Sequence, residues 1–289
     1  MKARVLLALL PTVAVQGPPG TDIYLAPLAV RDGRMQVGTP VNVTRRAGYD
    51  NQPFFLPQGG AFLYTAVVDG EADVFRYDLA SGRSTRLTAT PESEYSPTPL
   101  PDGSGFSAVR VEQDSTQRLW QFDWDGAHPA VLLEGVKPVG YHAWGDAHTV
   151  ALFVLGQPAT LQIADTRSGT TTPAARDIGR GVQRVPRRAA ISFVQKGADS
   201  AWSVAEVDLA TRQVRVLVPA LKGVDLYAWT PDGVLLMAQG TKLYQWNPAR
   251  RADWEEVADF SAAGLQSITR LAVSPRGDHL ALVAADSAP

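Results

Sequence analysis

The feature that most constrains this chain is a turn that returns at a nearly fixed interval. Its clearest copies are PFFLPQGGAFLYTAVV from Pro53, PTPLPDGSGFSAVRV from Pro97, YAWTPDGVLLMAQ from Tyr227 and LAVSPRGDHLALVA from Leu271. Weaker relatives are YHAWGDAHTVALFV from Tyr141 and VQRVPRRAAISFVQ from Val182. Aligned on the turn, Pro57, Pro101, Gly145, Pro186, Pro231 and Pro275 share one column, at steps of 44, 44, 41, 45 and 44 residues. Proline presets φ, and glycine or aspartate accepts the left-handed region, so each copy reads as a tight hairpin. The flanks alternate or run apolar over roughly four to eight residues, as strands do.

A second hairpin follows each of the first. Its leading strand is DVFRYDL from Asp73, RLWQFDW from Arg118, TLQIADT from Thr160, SVAEVDL from Ser203 and KLYQWNP from Lys242, and a fourth strand such as RSTRLTA from Arg83 or QVRVLVP from Gln213 completes the unit. Four antiparallel strands in a period of about 40–50 residues are the sequence form of a propeller blade. Six inner hairpins exist but only five are followed by a third and a fourth strand. The missing pair lies at the start of the chain, where Asp22–Leu28 matches the third-strand pattern and Val41–Arg46 the fourth. The expectation is an all-β, six-bladed β-propeller of four-stranded antiparallel blades, the last blade closed by the N-terminal segment so that no sheet edge stays open. The blades are placed at about 49–91, 92–136, 137–179, 180–223, 224–267, and 268–289 plus 21–46.

The turns Pro101-Asp102-Gly103, Pro231-Asp232-Gly233 and Pro275-Arg276-Gly277, the third strands opening Asp22-Ile23-Tyr24-Leu25 and Asp73-Val74-Phe75, and the ending Arg86-Leu87-Thr88 together resemble the TolB-type six-bladed propeller. The resemblance covers nearly the whole chain after its first residues. Full-length TolB carries an α/β domain ahead of its propeller, so the resemblance here implies a stand-alone propeller. It implies little about chemistry, and TolB's role in the envelope does not transfer with it.

Composition narrows the function. With 27 Lys+Arg against 29 Asp+Glu the formal charge is -2, so nucleic acid, which needs a basic face to neutralise phosphates, is not an expected partner. No cysteine is present, which removes disulfides, thiolate metal sites and catalytic thiols. Lys2 and Arg4 precede an apolar run of 11 positions, Val5 to Val15. The run is too short to span a bilayer, where about 20 residues are needed. Residues 1–16 therefore read as a signal peptide, leaving 17–289 as a single propeller domain, monomeric and periplasmic or secreted.

Residues that recur at one blade position read as architecture. Asp78, Asp123, Asp165, Asp208 and Asn247 all end third strands, where they cap turns. Asp123 and Asp125 resemble a fragment of a calcium loop but lack the remaining ligands. His128, His142, His148 and His279 fall at unrelated phases, so no metal site and no cofactor are expected. Gly-x-Ser-x-Gly, His-Glu-x-x-His and Walker sequences are missing, and Gly179-Arg180-Gly181 lacks a phosphate-loop context. No catalytic residue is assigned. What differs from blade to blade is the entry into each innermost strand, which approaches the axis: Asn51, Gln52, Tyr95, Ser96, Gly140 to His142, Gln183, Arg184, Asp225 to Tyr227, Thr269 and Arg270. From these Asn51, Gln52, Tyr95, His142, Arg184, Tyr227 and Arg270 are taken as candidate ligand-binding residues of the channel rim. The expected function is a non-enzymatic binding or protein-interaction module of the bacterial envelope, its partner an envelope protein or a small ligand. The competing reading is a hydrolase or lyase acting on a carbohydrate or peptide-like substrate at the channel mouth, drawing on His142, Tyr95, Tyr227, Arg184 and Arg270. Trp124, beside a turn, is the candidate exposed aromatic contact.

Overall fold

The structure is a computed structural model that describes residues 19–31, 34–250 and 253–285; the expected signal peptide lies outside the described residues. Six antiparallel sheets follow one another around a ring. Their innermost strands are Asp50–Phe55 in blade I, Ser93–Pro99 in blade II, Val139–Trp144 in blade III, Ile178–Arg184 in blade IV, Ala228–Trp229 in blade V and Arg270–Val273 in blade VI. Blades I to V each add three strands outward in chain order. Blade VI is composite: Arg270–Val273 and His279–Ala285 come from the C-terminal end, and Thr21–Arg31 from the N-terminal end pairs with His279–Ala285 from Thr21↔Ala285 to Pro27↔His279. The closure read from the sequence is the one observed. Among the described residues no helix is long and apolar enough to cross a membrane.

Periodicity produces this ring because every blade must bury both of its faces. On the second strand of blade I, Phe62, Tyr64 and Ala66 pack toward blade VI while Ala61 and Leu63 pack toward blade II, the period of two that a strand imposes. The six apolar clusters correspond one to one with the six blade interfaces. Ring closure is therefore also core closure, since Ile23 shares a cluster with Phe55 and Phe62 of blade I, and Tyr24, Ala26 and Leu28 pack with Leu236 and Leu243 of blade V.

The motifs that suggested the fold have visible causes. Thr88 Oγ1 accepts from Val74 N and donates to Asp73, and Thr44 does the same with Ile23 N and Asp22. The acidic residue opening a third strand is thereby fastened to the threonine ending its blade. Asp78, Asp165, Asp208 and Asn247 cap their turns by accepting backbone N–H groups two or three residues on. Asp123 instead holds His128 Nδ1 at 2.7 Å. The Asp125 carboxylate caps its own turn through Ala127 N. Gly126 of that turn, at φ +80°, lies so close to blade I that an added Cβ would sit 1.9 Å from the Leu87 carbonyl oxygen. The segment is a close-packed inter-blade turn.

Three details differ from expectation. The outer edge of blade VI is not one strand over 41–46 but two short ones, Val41–Asn42 and Arg34–Val37. Its third strand is 11 residues long, and the chain folds back on the far half before reaching the near half. In blade III the turn column is held by Asp146 rather than Gly145. The bond Gly145 N to Thr149 O matches Thr230 N to Val234 O of blade V, and both hairpins are one residue shorter than those closed by Leu56, Leu100, Val185 and Ser274. Blade IV begins at Ile178, two residues before its expected start.

Candidate functional site

The innermost strands leave a cavity of about 900 Å³ along the axis, lined by residues of all six blades. These strands are sheet edges on that side, with backbone donors that no neighbour can satisfy. Proline has no N–H to strand, and the wall carries Pro53, Pro97 and Pro99 within the strands and Pro57, Pro101, Pro186, Pro231 and Pro275 at their ends. Phe54 also faces the cavity and is 45% exposed. The wall continues to the exposed turn residues Gln58, Asp102 and Arg187, so the channel opens on the face of the inner hairpin turns.

Its other end is bridged. Gln52 and Ser96 occupy matching positions in blades I and II, both with positive φ (60° and 54°) at a break in strand register. Ser96 N donates to Gln52 Oε1 at 2.6 Å. Asn51 Oδ1 accepts from Gln52 N at 2.8 Å and from Arg270 Nε at 3.2 Å. From blade VI, Arg270 reaches over the axis to blade III, where Nη2 lies 3.4 Å from Tyr141 Oη and the guanidinium stands 5.2 Å from that ring's centre. Arg180 of blade IV binds Asp225 through its backbone N (3.0 Å), Nε (3.1 Å) and Nη2 (2.9 Å). Hydrogen bonds to Asp225 raise the Arg180 pKa against the effect of burial. Burial alone would raise Asp225, but the Arg180 contacts outweigh it and hold the carboxyl below the usual aspartate range. Burial pushes the neighbouring Tyr49 hydroxyl up to about 12, with Arg270 and Arg180 opposing.

Two candidate residues turn out to be parts of one repeated clamp. His142 Nε2 and Trp144 Nε1 of blade III both meet Ser107 Oγ of blade II, at 2.8 and 2.9 Å. Tyr227 Oη and Trp229 Nε1 of blade V both meet Ser192 Oγ of blade IV, each at 2.8 Å. Each serine hydroxyl donates backward, to Thr98 O and Gln183 O. With its one proton so used, Ser107 Oγ can only accept from the imidazole, so His142 carries its hydrogen on Nε2 and presents a bare lone pair at Nδ1. That atom is buried and has no partner among the described residues. Desolvation, with no charge nearby to offset it, lowers the His142 pKa to about 3, and burial raises that of Tyr227.

A pH effect follows with a definite sign. Below its ordinary value of 6.5 the unfolded chain protonates His142, whereas the folded protein does not until about pH 3. Protons then favour the unfolded state, and stability falls by up to about 1.4 kcal/mol per pH unit on descending through that window. Asp50, lifted by burial from 3.8 to about 6 against its Arg46 contact, protonates first in the folded state and acts oppositely. The measurement is therefore urea unfolding of the parent chain and His142→Gln, whose amide can still donate to Ser107. The parent is expected to lose stability relative to the variant between pH 7 and pH 5. A difference that stays constant with pH would contradict neutral burial of His142.

The seven candidate residues thus divide. Asn51 and Gln52, 8% and 7% exposed, hold the bridged end together with Arg270. His142 and Tyr227, 6% and 1% exposed, reach the cavity wall from inside blade interfaces. Arg184 is exposed on the wall with no polar partner among the described residues. Tyr95 is half-buried against the core between blades II and III and does not line the cavity. Trp124 is half-buried as well, donating to Gly103 O at 2.9 Å. Sequence reading overlooked Phe54, Ser107 and Ser192. A signal for the clamp was present, since Ser107, His142 and Trp144 recur 85 residues later as Ser192, Tyr227 and Trp229. Among the described residues no three His, Asp or Glu side chains come together as a metal site.

Fold and channel define a six-bladed β-propeller with an axial cavity that side chains bridge at one end. Among solved structures, one named for TolB from Agrobacterium tumefaciens superposes with a TM-score of 0.72 at 17% identity, over 94% of this chain and 100% of that one. TolB from Acinetobacter baumannii gives 0.59 at 14% identity, over 92% of this chain and 64% of its own. An oligogalacturonate lyase in complex with manganese gives 0.57 at 14%, over 95% and 81%. Identities this low speak for the fold alone. No protein-family model matches the sequence, and no curated protein matches it.

Proposed function

We propose that the protein is an exported, non-catalytic binding propeller of the bacterial envelope and that the axial channel is its recognition site. The supporting observation is the cavity itself: about 900 Å³, walled by six non-identical strands and open at the turn face. That volume suits a small ligand or a short segment of a partner. Export rests on the basic and apolar start of the sequence. The propeller fold serves unrelated activities, so the lyase neighbour brings no chemistry with it. Asn51, Gln52, Arg180 and the two serine clamps are spent on holding blades together.

The test is thermal shift against organic acids, oligosaccharides and short peptides, with turnover of the same compounds followed in parallel. Ala272→Trp, at a wall position of blade VI that also packs against the core between blades VI and I, serves as the blocked form once its elution and Tm match those of the parent. A compound that raises the Tm of the parent but not of the blocked variant, and is recovered unchanged, is the expected result. Product formation would replace the binding reading with the enzymatic one. Stabilisation that persists in Ala272→Trp would move recognition away from the channel.

A further inference from the structure

Resting on the channel reading, we infer that the ligand is a small organic anion with an apolar body, seated with its acidic group toward Arg184. Four arginines line the cavity, Arg180, Arg184, Arg187 and Arg270, against one carboxylate, Asp102. Two of the four are neutralised by acids outside the lining: Arg180 by Asp225 at 2.9 Å and Arg187 by Asp232 at 2.8 Å. Asp102 is occupied by Ser104, which donates from its backbone N at 3.0 Å and its hydroxyl at 2.7 Å. Among the described residues Arg184 and Arg270 have no acidic partner. Arg270 is half-buried, and among the described residues its guanidinium meets the amide oxygen of Asn51 and the hydroxyl and ring of Tyr141.

Arg184 stands out against the repeat. It is the last residue of its inner strand, as Trp144 and Trp229 are of theirs. Blades III and V fill this position with an indole clamped to a serine of the preceding blade. Blade IV instead presents a guanidinium to the channel, and the residue that would serve as its clamp in blade III is Ala151, which pairs with Ala143. A charge has been placed where the architecture elsewhere uses packing. Beside Gln52, Ser96, Thr98 and Gln183, the wall carries eight prolines, Phe54, Leu226, Leu271 and Val273, which suits a mainly apolar body with few polar groups. A guanidinium in such surroundings binds carboxylate, sulfonate or phosphate oxygens through charge-assisted hydrogen bonds.

Two fluorescent probes sharing one skeleton separate the possibilities: 8-anilinonaphthalene-1-sulfonate, which bears an anion, and N-phenyl-1-naphthylamine, which does not. Binding is read from probe emission and from quenching of tryptophan, since Trp144 and Trp229 line the cavity. The expected result is one sulfonate probe per chain, bound more tightly than the neutral amine and weakened about tenfold in Arg184→Gln, as loss of one charged hydrogen bond implies. Arg184 has no partner to lose, so its variant folds as the parent does, and a Tm scan verifies this. Equal affinity for the two probes, or unchanged sulfonate binding in Arg184→Gln, overturns the anion assignment and leaves the channel as a site for neutral ligands. Failure of both probes, or binding of both that survives Ala272→Trp, overturns the channel reading as well.

Discussion

Deletion of residues 21–46 is expected to abolish the monomeric fold. The segment supplies the third and outer strands of blade VI and with them the seven paired positions from Thr21↔Ala285 to Pro27↔His279. It also withdraws Ile23 from the core between blades VI and I, and Tyr24 and Leu28 from the core between blades V and VI. Burying such a side chain is worth on the order of 1.5–3 kcal/mol. Three of them alone therefore rival the roughly 5–15 kcal/mol by which a whole domain is stable. What remains would expose His279–Ala285, an apolar strand with an unpaired edge, which is a template for pairing with another chain. Size-exclusion chromatography and a thermal melt decide the matter. A deletion product that elutes as a monomer and melts at the parent's temperature would show that closure by the N-terminal segment does not hold the ring together.

Removing the hydroxyl from either serine clamp is the second large effect. Ser107→Val keeps the shape but leaves His142 Nε2–H and Trp144 Nε1–H buried without an acceptor, and Thr98 O without its donor. Each stranded group costs about 1–3 kcal/mol, so with three of them a loss of roughly 3–9 kcal/mol is expected for the variant. Ser192→Val strands Tyr227 Oη–H and Trp229 Nε1–H in the same way and should cost a similar amount. The two clamps belong to different interfaces, II with III and IV with V, and share no partner, so their effects should add within about 0.5 kcal/mol. Urea unfolding of both single variants and the double variant measures this. Single losses under about 0.5 kcal/mol, typical of surface positions, would mean that the clamp hydrogen bonds are dispensable.

Much of this molecule is written in local chemistry. The turn column, the capping aspartates and the Asp-to-Thr fastening of Asp22 with Thr44 and Asp73 with Thr88 involve residues within one blade, and a pattern that repeats six times is legible because each blade solves the same packing problem. The clamp lies at the limit of that legibility. Its residues recur 85 positions apart, twice the blade period, so a reading made blade by blade treats His142 and Tyr227 as irregular rim positions when they are interface positions.

The chain's sequence, by its periodicity alone, determined six four-stranded blades and their closure by the N-terminal segment, because strand pairing and face-to-face burial depend on alternation that short stretches carry. Only the tertiary structure decided what the axis looks like. Arg270 meets Tyr141 across 129 residues of chain and from the opposite blade, a contact set by how far each side chain reaches over the channel. The same holds for the charge of the wall. Arg180 and Arg187 are neutralised by acids of the next blade, Arg184 and Arg270 are not, and that difference exists only once the ring has brought six strands to a common centre.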